Sequence, residues 1–486
     1  MIEGSLKKKT VKGFGWSAVD NITRFGVSFV VSIILARLLS PEEYGLIGIL
    51  TIFIAIFEAI VDSGFTNALI RKQNATDTDY STVFYTNFVL SIVLAAVLFF
   101  CANPISVFFE RPELISLTQV MSSVVILNAL SLVQRVRITK ALDFKTQTKI
   151  TFISSVTSGI IGIVMAYMGY GVWALVGQQI SNQFLSALLF WIYNKWIPRV
   201  VFSWVSFMEM WSFGSKLLAS CLIDTAWKEI YQVVIGKCYS PDTLGLYTRA
   251  KQFSSLCSSN LATVIQRVTY PVLSGIQDDI PRLKQVYKRI IKTTMLLSFV
   301  LMLGMAAIAK SMIIVLIGDH WLGCVPMLQI ICISGMLYPL HSLNINMLQV
   351  QGRSDLFLKL EIIKKIFAVG PLFLGIYLNI NWMLGGSVIT GFIAYYLNAY
   401  YSGPFLNYSI KEQISDILPG FGVALAMALP VFAMSFIPMN PYIILPLQII
   451  AGAIITIFIC ETTKLPEYFE IKSIVMPIIS KVIKRK

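Results

Sequence analysis

Charge is scarce in this chain. Only 13% of its 486 residues are Asp, Glu, Lys or Arg, about half the share of an ordinary soluble domain. A soluble fold of this length could not stay dispersed on so few charges, which excludes a cytosolic enzyme and a disordered chain. Histidine is nearly missing as well. His320 and His341 are the two present, and neither has a neighbouring Cys or carboxylate cluster, so no metal site is expected. The seven cysteines form no Cys-x-x-Cys pair, which argues against a disulfide framework or a zinc site. No Gly-x-x-x-x-Gly-Lys-Ser/Thr loop occurs, so ATP is not the direct drive.

What is present is apolar sequence, 56% of the chain. It divides almost end to end into about 14 stretches, from 13–36 to 441–461, each near the roughly 20 residues that span a bilayer. The expected fold is an all-α polytopic membrane protein with both termini on one side. Basic residues supply the orientation. With the N-terminus cytoplasmic, thirty of the 39 Lys and Arg fall in inner segments, against Arg37, Arg111, Lys237 and Lys310 outside, the asymmetry of the positive-inside rule. The net charge of +14 is then topology charge with some attraction to anionic lipid, and no nucleic-acid partner is implied. The stretch 13–36 after the first lysines reads as a retained first helix rather than a signal peptide. Connections between the stretches are short, so no catalytic domain is expected and the protein is read as a non-enzyme.

The chain also repeats itself. Ser-Pro-Glu-Glu-Tyr-Gly-Leu at 40–46 returns as Ser-Pro-Asp-Thr-Leu-Gly-Leu at 240–246, with Arg37 and Lys237 at the same offset before them. In each copy Pro and Gly bracket a tight turn, and the Ser or acid can cap the next helix. Parallel repeats related by an axis along the membrane normal are a common transporter plan. The expected domains are an N-lobe at 1–195 and a C-lobe at 196–406, six helices each. A last helix pair with a basic cytoplasmic tail follows at 407–486.

Ionisable side chains inside a span cost several kcal/mol unless they face a cavity or a partner. Here they gather in the leading hairpin of each lobe. The bases are Arg24, Lys216, Lys228, Arg249 and Lys251; the acids are Asp20, Glu58, Asp62, Asp224 and Glu229. Folding the first hairpin sets Arg24 level with Glu58 and Asp20 level with Asp62, and folding the second sets Glu229 level with Lys251. As matched ion pairs they would lock hairpins together. Their concentration at the leading hairpins points instead to a shared polar cavity, with the bases suited to an anionic substrate, phosphate above all. Glu58 and Asp62, one turn apart, either neutralise Arg24 or bind Na+ or share a proton. No cofactor is expected beyond that ion.

Three segments carry a family resemblance: Leu-Ala-Arg-Leu-Leu-Ser-Pro-Glu-Glu-Tyr-Gly-Leu (35–46), Asp-Ser-Gly-Phe-Thr-Asn-Ala-Leu-Ile-Arg-Lys (62–72) and Ile-Gly-Lys-Cys-Tyr-Ser-Pro-Asp-Thr-Leu-Gly-Leu-Tyr-Thr-Arg-Ala (235–250). The chain resembles the bacterial polysaccharide transporter, or oligosaccharide flippase, family of the multidrug/oligosaccharidyl-lipid/polysaccharide exporter superfamily. The resemblance implies two six-helix lobes in a V around a cationic cavity. It also implies transfer of undecaprenyl-pyrophosphate-linked oligosaccharide from the inner to the outer leaflet of the bacterial cytoplasmic membrane, beside polysaccharide polymerase or assembly proteins. By the same likeness Arg24 corresponds to the mid-membrane arginine in the first helix of peptidoglycan lipid flippases. The alternatives are a cation-coupled drug antiporter of the same superfamily and a membrane glycan polymerase or ligase. The first favours acids over bases and about 12 helices; the second needs a large external loop that this chain lacks.

Overall fold

The computed structural model describes residues 26–62 and 64–483, so Asp20 and Arg24 lie outside the described residues. All regular structure within them is helical, as hydrocarbon demands of a chain whose backbone groups must be satisfied internally. In chain order the helices are α1 (Gly26–Leu38), α2 (Pro41–Asp62), α3 (Phe65–Arg71), α4 (Asp77–Phe100), α5 (Ala102–Phe109) and α6 (Leu114–Lys140). Then come α7 (Phe144–Tyr167), α8 (Val172–Asn194), α9 (Trp204–Cys238), α10 (Pro241–Ser274), α11 (Ile280–Ile317) and α12 (Cys324–Gly335). The series ends with α13 (Tyr338–Val350), α14 (Ser354–Tyr377), α15 (Ile380–Ser402), α16 (Ile410–Ala433), α17 (Pro441–Thr462) and α18 (Pro466–Ile483).

Helix occupies every expected span within the described residues, and nine helical segments among them are long and apolar enough to cross a bilayer. The protein is a multi-pass helical membrane protein. Four of the long helices, α8, α9, α10 and α14, are not among the nine. Three of these carry the polar and ionisable side chains considered below. Two differences from the sequence reading are local. The expected span 325–348 is broken into α12 and α13 at Met336 and Leu337. The basic tail is the helix α18, docked on α11 through Lys292–Glu467 at 2.9 Å and a pair between Arg289 and Glu470.

The chain divides into two compact units after Gly245, within α10. In the first unit α7 packs on α8, α6 on α4 and α8, and α2 on α9. One core joins Phe65, Leu69, Tyr80, Val133 and Trp196, and another joins Val31, Leu35 and Leu39 to Ala166, Ala174 and Leu175. In the second unit α11 is the central strut, packed by α12, α16 and α17, while α14 pairs with α15. At one end of α11, Lys284 and Lys288 reach Glu412 at 3.0 and 2.8 Å.

Both copies of the repeat begin a helix as the sequence suggests. Ser40 and Glu43 form a capping box, with Ser40 N–H donating to the Glu43 carboxylate at 2.7 Å and Glu43 N–H to Ser40 Oγ at 3.4 Å. At the second copy Thr243 N–H donates to Ser240 Oγ at 3.2 Å. The copies also meet reciprocally. A Cβ on Gly45 would lie 1.8 Å from the Pro241 carbonyl oxygen, and one on Gly245 would lie 1.8 Å from that of Pro41. Backbone touches backbone, which a side chain larger than hydrogen forbids. Beside this crossing, Lys237 pairs with Glu110 at 2.8 Å and Arg111 with Glu42 at 3.6 Å.

This crossing sets a steric test. Gly45→Ala and Gly245→Ala should each lower the thermal midpoint of the purified protein by an amount equivalent to about 1–3 kcal/mol or more, the cost of overpacking. Gly385→Ala, where nothing lies within 4 Å of the new methyl, should leave it unchanged. Equal midpoints for all three variants would remove the crossing from the account.

Candidate functional site

The ionisable residues singled out in the sequence end in different surroundings. Glu58, on α2, is half-buried and lies beside the Asn128 side chain and the charge of Arg135, both on α6. Asp62, one turn further, carries a buried Oδ1 without a hydrogen-bond partner among the described residues. The expected level pairing of these acids with Arg24 and Asp20 lies outside the described residues.

On α9, Lys228 pairs with Asp224 one turn earlier at 2.7 Å, with side chains 67% and 55% exposed. A pair so open contributes tenths of a kcal/mol. Glu229 accepts from the Gln232 amide. Lys216 sits on the same helix. Arg249, on α10, is 4% exposed. Its guanidinium lies 5.6 Å from the centre of the fully buried Trp321 ring and donates to Gln252, a cation–π seat with a polar partner. Lys251, two residues on, lines a pocket of about 240 Å³ with Ser254, Ser258, Ser334 and His341.

One polar cavity was not legible from charge. It holds about 560 Å³ within the first unit and is walled by α1, α2, α6, α7 and α8. Its amides are Gln147 on α7 and Gln178, Gln179, Asn182 and Gln183 on α8. Its hydroxyls include Thr151, Ser154 and Ser155. Among the described residues Arg135 is its cation, with the guanidinium 5.6 Å from the Phe190 ring centre, and no carboxylate lines it. The reason lies in helical spacing: Gln178, Asn182 and Ser186 recur every four residues on α8, and Gln147, Thr151 and Ser155 do so on α7. Two neutral polar stripes therefore face one another. The usable sequence signal was this four-residue recurrence of amides and hydroxyls inside apolar spans, which a search for ionisable groups passes over.

A third cavity is apolar. About 420 Å³ in the second unit lies between α11, α16 and α17, lined by Leu301, Met305, Ile308, Met427, Ile449 and Ile457 among others. Methionine suits a wall that must fit a flexible chain.

Known proteins share both sequence and fold with this chain. Residues 34–326 match the family described as polysaccharide biosynthesis protein. The chain is 24% identical to the teichuronic acid biosynthesis protein TuaB of Bacillus subtilis, over 94% of this chain and 96% of that protein. It is 26% identical to the succinoglycan biosynthesis transport protein ExoT of Rhizobium meliloti, over 69% and 68%. Against the lipopolysaccharide biosynthesis protein WzxC of Escherichia coli it is 24% identical over 76% of each chain. Among solved structures, the lipid II flippase MurJ in its inward closed conformation superposes with a TM-score of 0.76 at 13% identity, covering 93% of this chain and 98% of that one. An inward-facing multidrug resistance transporter of the MATE family, in the MOP superfamily, superposes at 0.59 and 15% identity, covering 83% and 98%. These likenesses establish the fold.

The contrast between two cations gives a second test. Arg249→Ala removes a charge-assisted hydrogen bond and a buried ring contact, and should destabilise the protein by about 2–3 kcal/mol. Lys228→Ala should cost under about 0.5 kcal/mol. Thermal midpoints of the purified variants compare the two directly, and an equal loss would refute the contrast.

Proposed function

The chain belongs to the polysaccharide biosynthesis protein family, and from that premise we propose that it is a flippase for polyprenyl-diphosphate-linked oligosaccharide. It carries repeat units from the inner to the outer leaflet of the bacterial cytoplasmic membrane by alternating access, with both termini cytoplasmic. The observation that carries this reading is the combination of surfaces inside one membrane-embedded chain: polar cavities for a hydrophilic head, and an apolar cleft for a prenyl tail. A drug antiporter has little use for the first, and a glycan polymerase needs catalytic groups outside the membrane. In this proposal Arg24, Lys216, Lys228, Arg249 and Lys251 attract the diphosphate, as a guanidinium fork or ammonium does for phosphate oxygens.

We further propose that Asp62 couples transfer to Na+ or H+. Its partnerless buried carboxylate oxygen costs free energy that a bound cation or proton relieves, while Glu58 is engaged by Asn128 and Arg135.

Reconstitution in liposomes with a fluorescent polyprenyl-diphosphate oligosaccharide tests both proposals. Transfer between leaflets above that of protein-free vesicles is expected, with a rate that responds to an imposed ion gradient. No transfer for any lipid-linked glycan overturns the flippase reading. Asp62→Asn should transfer substrate at a rate indifferent to the gradient. A variant that keeps the wild-type gradient response removes Asp62 from coupling.

A further inference from the structure

The flippase reading asks for a polar cavity but does not say what the one inside the first unit binds. A zipper between α7 and α8 accounts for only part of it: Asn182 Nδ2 donates to Ser158 Oγ at 3.0 Å. The other amides are uncommitted. Gln147 Oε1 is buried with no hydrogen-bond partner, and among the described residues Gln178, Gln179 and Gln183 make no side-chain hydrogen bond to protein. Orphaned amides inside a bilayer are costly. One such group, the Gln147 carbonyl, and three half-buried amides without a protein partner line this one cavity, which points to contents that donate and accept hydrogen bonds.

The lining narrows the chemistry. Among the described residues no carboxylate lines the space, so they offer a metal cation or an organic cation no counter-charge there. Among the described residues Arg135 is the one cation in its wall, and it also faces Glu58, so amides rather than positive charge dominate what these residues offer a ligand. Each glutamine offers two donors and an acceptor, the complement of vicinal hydroxyls. From Gln178 to Ser186 the stripe runs about 12 Å along α8, and 560 Å³ falls within the usual range for small-molecule sites.

We infer that this cavity is a saccharide subsite, in which Gln147, Gln178, Gln179 and Gln183 hydrogen-bond the sugar hydroxyls of the lipid-linked substrate while its diphosphate and tail are held elsewhere. The inference rests on the flippase reading for its substrate, and its test separates the two. The probe is the repeat-unit oligosaccharide cleaved by mild acid from its carrier in the producing cell, free of lipid and diphosphate. It is titrated calorimetrically into the full-length protein in nanodiscs. Wild type should bind it. Gln178→Leu, and independently Gln147→Leu on the opposite wall, should each weaken binding about five- to tenfold, as expected for one or two lost hydrogen bonds. Both replace an uncommitted amide by an apolar side chain of similar size, so thermal midpoints should hold or rise.

In liposomes the same variants should slow transfer of the full lipid-linked repeat unit more than that of the same carrier bearing one sugar. Wild type that binds the free saccharide yet transfers no lipid-linked glycan keeps the subsite and sinks the flippase reading. Wild type that transfers the lipid-linked glycan but binds no free saccharide, with both Leu variants indistinguishable from it, shows that water alone fills the cavity and overturns the subsite. Equal loss for long and short glycans, with binding of the free saccharide retained, assigns the amides to packing and overturns it too.

Discussion

Hydrocarbon offers no hydrogen bonds, and that constraint orders the whole chain. The backbone answers it by forming helices. Side chains answer it mostly at helix ends, where capping needs coincide with the membrane surface. Thr76 and Asp79 form a capping box, Ser203 and Asn379 cap α9 and α15, and Lys72 bridges Asp79 to Glu209. Mid-helix polar groups find partners across helices: Gln134 donates to the Trp196 carbonyl, and the Trp191 indole to that of Leu130. Against that background an uncommitted polar atom is informative. Asp62 Oδ1 and Gln147 Oε1 are two such atoms, and Gln178, Gln179 and Gln183 make no side-chain hydrogen bond to protein.

The second dependence is steric. The motif that marks the internal repeat is also where the repeat copies touch, each proline carbonyl resting on the other copy's glycine. Within such a motif the glycine cannot take a larger side chain without separating the backbones, while the three residues between Pro and Gly differ between the copies: Glu-Glu-Tyr in one, Asp-Thr-Leu in the other. The same geometry explains why the flanking charges lie where they do. Arg111 with Glu42, and Lys237 with Glu110, ring the crossing at partly exposed positions, where ion pairs steer approach more than they stabilise it.

Apolar run length and charge placement made the helices legible, because span length is set by the bilayer and not by tertiary detail. The capped turns at Ser40 and Ser240 were legible because capping is local. What could not be read was pairing between distant helices. Sequence adjacency ties Glu58 to its own hairpin, yet the structure gives it Asn128 and Arg135 of α6. Arg249 shows the same limit, since nothing near it in sequence announces Trp321. The amide stripes were available in the sequence as a four-residue recurrence, but neutral side chains leave no trace in a charge survey.

The physical difficulty of moving a glycan through a membrane lies in its hydroxyls. Each one stripped of water without a replacement costs about 2–7 kcal/mol, so even a short oligosaccharide faces a prohibitive barrier in bare lipid, whereas its prenyl tail crosses nothing. A protein that lowers this barrier must offer hydrogen-bonding groups that are embedded in the membrane, not ionised, and not already spent on its own fold. Lysines and arginines fail the second condition, since their charge would hold an anion as firmly as it received it. Asn182, tied to Ser158, fails the third. Gln147, Gln178, Gln179 and Gln183 meet all three. On the saccharide-subsite proposal their lack of protein partners has a use, since amides that the fold does not engage are those able to take over from water.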